Sequence, residues 1–189
     1  MKNFYFDVET TGLDSARNAI IQLAFIIEID GKVTDLGNIK VRPHEGAIIE
    51  DTALQIHGMT REQINKFDEP KIGMRHLIQV LDNYINKHDQ SDKFTPIGYN
   101  VGFDEMFLLN FFHLHSDEFF YSYFSHEPVD PLPVLRFLRY TGHPFFSKFP
   151  NLKLATVCEQ MNIKINAHDA MSDIEATREL LNKLKLSIK

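Results

Sequence analysis

The chain has 189 residues, 43% apolar and 24% charged, with 16 phenylalanines and no tryptophan, the profile of a soluble globular domain long enough to bury a sizeable core. Cys158 is its one cysteine, which excludes an intrachain disulfide and a thiolate metal cluster and makes a reducing, cytoplasmic setting the default. The formal net charge of −6 argues against holding nucleic acid through a general basic field, though not against gripping a short strand through metal ions.

The opening MKNFYFDVE runs directly into a candidate strand and has no long apolar stretch. Neither a signal peptide nor a membrane span is expected there. Residues 3–8 read as a buried strand and 19–30 as a second, with Asp30-Gly31 as a hairpin signal. Residues 33–42 make a weaker third strand, so the chain opens as an antiparallel meander. Thr60 begins TREQ, a capping-box pattern. Apolar residues at 74, 77, 78, 81, 84 and 85 predict a helix over about 70–87. FTPIGYN, 94–100, reads as a short strand at an edge or start, given its proline. A phenylalanine-rich helix is expected over 102–114. The stretch 117–150 is aromatic and irregular, with a helix over 131–140 that Asp130 would cap and Pro131 would open. Helices over 151–161 and 169–186 complete the chain. Strands first, then strand and helices in alternation, indicate an α/β fold with a mixed sheet flanked by helices. No linker-like stretch divides it, so residues 1–189 are expected to form a single domain.

Three segments carry carboxylates in awkward places. In FYFDVETTG, Asp7 and Glu9 share one face of a strand with Tyr5, while Phe4, Phe6 and Val8 form the other. Like charges that close repel, and burial adds to the cost; a divalent cation removes both problems. An exposed acidic pair on an edge strand is the alternative. In GYNVGFDEMFLL, Asp104 falls in a first helical turn on the stripe of Phe107, Leu108 and Phe111. Its alternative is a favourable charge at the helix N-terminus, but Glu105 would serve that purpose away from the stripe. In NAHDAMSDIEATRELL, Asp173 shares a stripe with Ala176, Thr177, Leu180 and Leu184, His168 lies five residues earlier, and Asp169 is a ready N-cap. Four carboxylates and a histidine suit a two-metal phosphodiesterase site: hard oxygen ligands suit Mg²⁺ or Mn²⁺, and a histidine can deprotonate the attacking water.

FDVETTG, YNVGFD and HDAMSD, in that order, resemble the three motifs of the DnaQ-like (DEDDh) 3′–5′ exonuclease family, which includes the proofreading subunit of DNA polymerase III, RNase T and oligoribonuclease. ALQIHGMT, VDPLPVLRFLR and LATVCEQMNI resemble the family's intervening segments, so the likeness runs from residue 3 to about 184. It implies a ribonuclease-H-like fold with a central sheet of about five strands. It also implies roles. Asp7 bridges two divalent ions, Mg²⁺ or Mn²⁺; Glu9 and Asp173 complete the ligands of the first; Asp104 holds the second; His168 is the general base. Glu9 with Thr10, Thr11, Gly12 and Leu13 brackets the terminal nucleotide, His57 contacts substrate, and Asn100 orients the strand end.

The activity implied is release of nucleoside 5′-monophosphates from the 3′ ends of single-stranded DNA, in replication or repair, with a DNA polymerase as candidate partner. An RNA-trimming enzyme and a non-catalytic nucleic-acid-binding domain are the competing readings, and the oligomeric state is left open. The best strand-holding stretch is 135–153, where Arg136, Arg139, Lys148 and Lys153 interleave with Phe145, Phe146 and Phe149. The expectation is that Phe145 and Phe149 are core and most of the cations a solvated face.

Overall fold

The computed structural model describes residues 1–167 and 169–187. Strand β1 (Lys2–Thr10) pairs antiparallel with β2 (Ile20–Ile29), which pairs antiparallel with β3 (Lys32–Lys40). Asp30 and Gly31 both have positive φ, 50° and 81°, as the tight β2–β3 hairpin requires. Helices α1 (Asp51–His57), α2 (Arg61–Ile64) and α3 (Pro70–Asp82) follow. The Thr60 capping box is complete: the Gln63 N–H donates to Thr60 Oγ1 at 3.2 Å, and the Thr60 N–H to Gln63 Oε1 at 2.7 Å. It opens only one turn, α2. Strand β4 (Thr95–Ile97) pairs parallel with β1. Then come α4 (Val101–His115), α5 (Pro131–Tyr140), α6 (Leu154–Gln160) and α7 (Ala170–Ser187).

The sheet has four strands in the order β3-β2-β1-β4, not the five expected. The fifth position is occupied by isolated parallel bridges, Phe94↔Phe124 and Ile97↔Val129. Four residues of one side, 94–97, face six of the other, 124–129, and Pro96 and Pro128 supply no N–H, so a continuous ladder cannot form there. Two helices are also shorter than their patterns. The third ends at Asp82, where Lys2 reaches in to take the Tyr84 carbonyl, and α6 begins at Leu154 rather than 151.

Both faces of β1 are buried. Phe4, Phe6 and Val8 join Phe25, Leu77, Phe94, Phe107 and Leu108 under α3 and α4. Tyr5 packs with Ala24, Ile26, Ile97, Ala170 and Ile174 under α7. Phenylalanine rings fill the first layer, with Phe4–Phe25 and Phe120–Phe124 stacked at 5.2 and 4.5 Å. A third cluster, Leu135, Phe146, Phe149, Val157, Cys158 and Leu180, joins α5 and α6 to α7. Phe146 rather than Phe145 is the core ring: Phe145 remains 45% exposed. No helix among the described residues is long and apolar enough to cross a membrane.

Candidate active site

Residues 5, 7 and 9 point toward α7, and the apolar row that begins with Tyr5 gives way to Asp7 and Glu9 at the carboxyl end of β1. The register with β2 shifts between Glu9 and Thr10, and such irregularities re-aim side chains at strand ends. The ladder with β4 stops at Tyr5↔Ile97. Beyond it the Val8 N–H donates to Asp104 Oδ1 at 3.1 Å, which docks the first turn of α4 against β1 between the two acids. Asp104 is 3% exposed, on the buried stripe of Phe107, Leu108 and Phe111. At α7, the Ser172 N–H donates to Asp169 Oδ1 at 3.0 Å, the expected cap. Ala170 and Ile174 face Tyr5, while Ala176, Leu180 and Leu184 face the third cluster, so Asp173 enters from a helix anchored on both sides.

The carboxylates act on one another. Burial, then the charges of Asp104, Glu9, Asp173 and Asp169, push Asp7 well above the usual carboxylate range. Asp7 keeps part of its surface open while most of its surroundings are protein, so it is reachable yet poorly solvated. Glu9 is pushed up to about 8 by burial and then by Asp173 and Asp169. Asp104 is also pushed up to about 8, chiefly by burial, against the opposing pull of the Val8 N–H. Among the described residues no lysine or arginine pairs with Asp7, Glu9 or Asp104. Nor do three acidic, histidine or cysteine side chains among those residues converge closely enough to cage an ion unaided. Carboxylate oxygens are hard donors that suit a divalent cation. Mg²⁺ commonly takes one or two carboxylates and completes its shell with water and substrate phosphate.

The loop after β1 is fastened by side-chain hydrogen bonds. Thr11 is fully buried; its hydroxyl donates to the Ile48 carbonyl at 2.7 Å and accepts the Ala19 N–H at 2.9 Å. Thr10 Oγ1 donates to the Gly12 carbonyl at 2.7 Å. A Cβ on Gly12 would lie 2.4 Å from both Asn18 Nδ2 and Glu50 Oε1, so a larger residue there would have to displace the Asn18 amide and the Glu50 carboxylate. Leu13, 76% exposed, is the loop's projecting side chain. His57 ends α1, where its Nδ1 accepts the Met59 N–H, two residues on, at 3.1 Å and burial lowers its pKa. Asn100 is exposed and left-handed, with φ 62° and ψ 39°. His168 lies outside the described residues.

Two organising residues are not evident from the motifs. Asn18, buried, donates to the Ile48 carbonyl at 2.9 Å and accepts the Asp14 N–H at 2.8 Å. Asp130 does more than cap α5 through Leu132. Its Oδ1 also accepts the Asn100 N–H at 3.1 Å and its Oδ2 the Val101 N–H at 3.2 Å. One carboxylate thus fixes the starts of α4 and α5, and the Asn100 side chain is left out of the capping. The aspartate ahead of a Pro-led helix signals only the second of these roles.

A family model described as exonuclease (RNase_T) matches residues 4–181. The PolC-type DNA polymerase III of Oceanobacillus iheyensis is 30% identical over 180 residues, and that of Bacillus subtilis 26% over 181 residues. Each alignment covers 95% of this chain and 11% of the polymerase, so the chain spans only a small part of these curated relatives' length. E. coli exonuclease I in complex with a dT13 oligonucleotide has a TM-score of 0.79 and 22% identity, covering 97% of this chain and 41% of that one. The zinc ion bound form of its complex with single-stranded DNA gives 0.79 and 22%, over 98% and 40%. The likeness to these structures is one of fold.

Proposed function

Because the chain belongs to the RNase_T exonuclease family, we propose that it is a metal-dependent 3′–5′ exonuclease of the DnaQ-like type releasing nucleoside 5′-monophosphates, with single-stranded DNA as its main substrate. The observation that carries this reading is the gathering of Asp7, Glu9 and Asp104 at the carboxyl end of β1, mutually repelling and without a cationic side chain. Such a cluster is stable in its charged form only with a divalent cation in it.

Asp7, Glu9 and Asp173 would hold one ion and Asp7 with Asp104 a second; Asp104 Oδ1 is engaged by Val8, which leaves Oδ2 as its donor. Ions bound there would supply a Lewis acid, a water of lowered pKa and charge stabilisation at the leaving oxygen. His168, five residues before Asp173 in the chain, would take the proton from the attacking water. Gly12, Leu13 and the backbone of Thr10 and Thr11 would bracket the terminal nucleotide, with Thr11 and Asn18 keeping that loop in shape. Glu9 would meet the 3′-hydroxyl, and His57 and Asn100 would touch the strand. The PolC-type relatives and the DNA-bound exonuclease I support DNA over RNA, and a polymerase as candidate partner in replication. We take the 189 residues as one exonuclease domain.

The test is degradation of 5′-labelled DNA and RNA oligomers of equal sequence with Mg²⁺, Mn²⁺ or EDTA. A ladder shortening from the 3′ end, lost in EDTA and faster on DNA, is expected. Asp7→Ala should abolish it together with Mn²⁺ binding. His168→Ala should keep Mn²⁺ binding and slow hydrolysis about 10²–10⁴-fold. Absence of metal-dependent cleavage in the intact protein would overturn the proposal.

A further inference from the structure

The chain's charge is unevenly distributed. Residues 131–158 contain Arg136, Arg139, Lys148 and Lys153 and no acidic residue, so with a total of −6 the rest of the chain carries −10. All four cations are exposed, and none forms an ion pair among the described residues. Three large aromatic rings are exposed in the same stretch: Phe137 at 65%, Tyr140 at 89% and Phe145 at 45%. Arg136, Phe137 and Tyr140 fall within about 100° of the α5 circumference, opposite the buried Pro131, Leu132 and Leu135. Phe145 stands edge-on to the buried Phe146 and Phe149, 5.1 Å from each. The turn Phe146–Lys148 packs on α5, so helix and loop form one surface. Exposed rings among unpaired cations, on an otherwise acidic protein, complement a polyanion that carries stacking bases.

The surface also begins at the site. Asp130, which opens α5, holds the start of α4 through Asn100 and Val101. Arg136 lies near enough to Tyr99 for its charge to act on that phenol. The α5 face then runs about 15 Å away from this junction.

We propose that Arg136, Phe137, Tyr140, Phe145 and Lys148 form a track that holds single-stranded nucleic acid on the 5′ side of the nucleotide being removed. Phosphates meet the guanidinium and ammonium groups, and bases stack on the rings without selection by sequence. The track deepens the exonuclease reading and rests on it for the strand's direction.

The experiment measures binding of labelled oligo-dT of about 12 nucleotides, a length spanning more than the site itself, to the full chain carrying Asp7→Asn, over a range of salt. Arg136→Gln with Lys148→Gln should weaken binding and flatten the log–log salt slope by about 0.7 per cation removed. Phe137→Ser with Tyr140→Ser should weaken it about ten-fold per stacked base and leave the slope in place. In the cleaving protein both pairs should raise KM for the long strand more than for a trinucleotide, and more than they lower kcat. Equal affinity and slope in all variants would overturn the track. So would displacement of oligo-dT by poly-glutamate at matched charge, which would mark a surface for acidic protein. If binding follows the prediction but no variant or parent cleaves, the track stands and the nuclease reading falls.

Discussion

Asp7 sits among four other carboxylates, and its neighbours Glu9 and Asp104 hold protons up to about 8. An unfolded chain would release those protons near pH 4. The folded, metal-free form therefore binds more protons than the unfolded one across the window between, and its stability falls as pH rises through it. Thermal denaturation in EDTA should show the midpoint dropping from about pH 5 to about pH 8.5. Asp104→Asn should flatten that slope, and Mn²⁺ should restore the midpoint at the alkaline end, because it binds the deprotonated form. Asp7→Asn should likewise raise the metal-free midpoint at pH 8 by a few degrees while abolishing cleavage, the usual opposition of stability and activity at a charged site. A midpoint unchanged or lowered by Asp7→Asn would show that the repulsion is not felt. At this scale the sequence was informative where an acid interrupts an apolar stripe, as Asp104 and Asp173 do. It was uninformative about Thr11, whose burial depends on Ile48 and Ala19, partners supplied by tertiary folding.

The element that ties chemistry to scaffold is the α4–α5 junction. Asn100 is a non-glycine residue in the left-handed region, a conformation that needs outside support. Asp130 supplies it with two N–H acceptors besides its cap of α5. Asp130→Ser keeps a short N-cap for α5 but cannot reach the other helix, so it should cost about 1–3 kcal/mol of stability. It should also raise amide exchange at residues 100–101, and Asn100→Gly in the same background should recover part of the stability by relieving the left-handed strain. Exchange and stability equal to the parent would dismiss the double clamp. Cap signals at Thr60 and Asp130 were legible because they are local. The end of α3 was not: the stretch 83–87 keeps an apolar pattern, but Lys2, from β1, competes for its backbone. The fifth strand failed for a chain-intrinsic reason, two prolines and unequal segment lengths.

At the scale of the whole molecule, the meander, the apolar face of β1 and the flanking helices follow from alternation and helical periodicity, and were readable in advance. The separation of charge is different, because its meaning depends on which cations remain unpaired after folding. Four cations on a background of −10 give affinity that fades quickly with salt. Cleavage of a labelled strand in the presence of a trap of unlabelled DNA should therefore release only short runs at about 0.15 M salt, where screening is strong. Long uninterrupted degradation would require grip from another source.

Cys158 lies fully buried beneath α7, and burial pushes its thiol up to about 11. This gives the molecule a label of its own: a thiol reagent can reach that sulfur only when the layer of α5, α6 and the Asp173-bearing α7 opens. The labelling rate, followed with and without Mn²⁺, would time the opening of that layer in the unaltered chain, and slower labelling with the ion would show that occupancy at the carboxylates steadies the layer around Cys158.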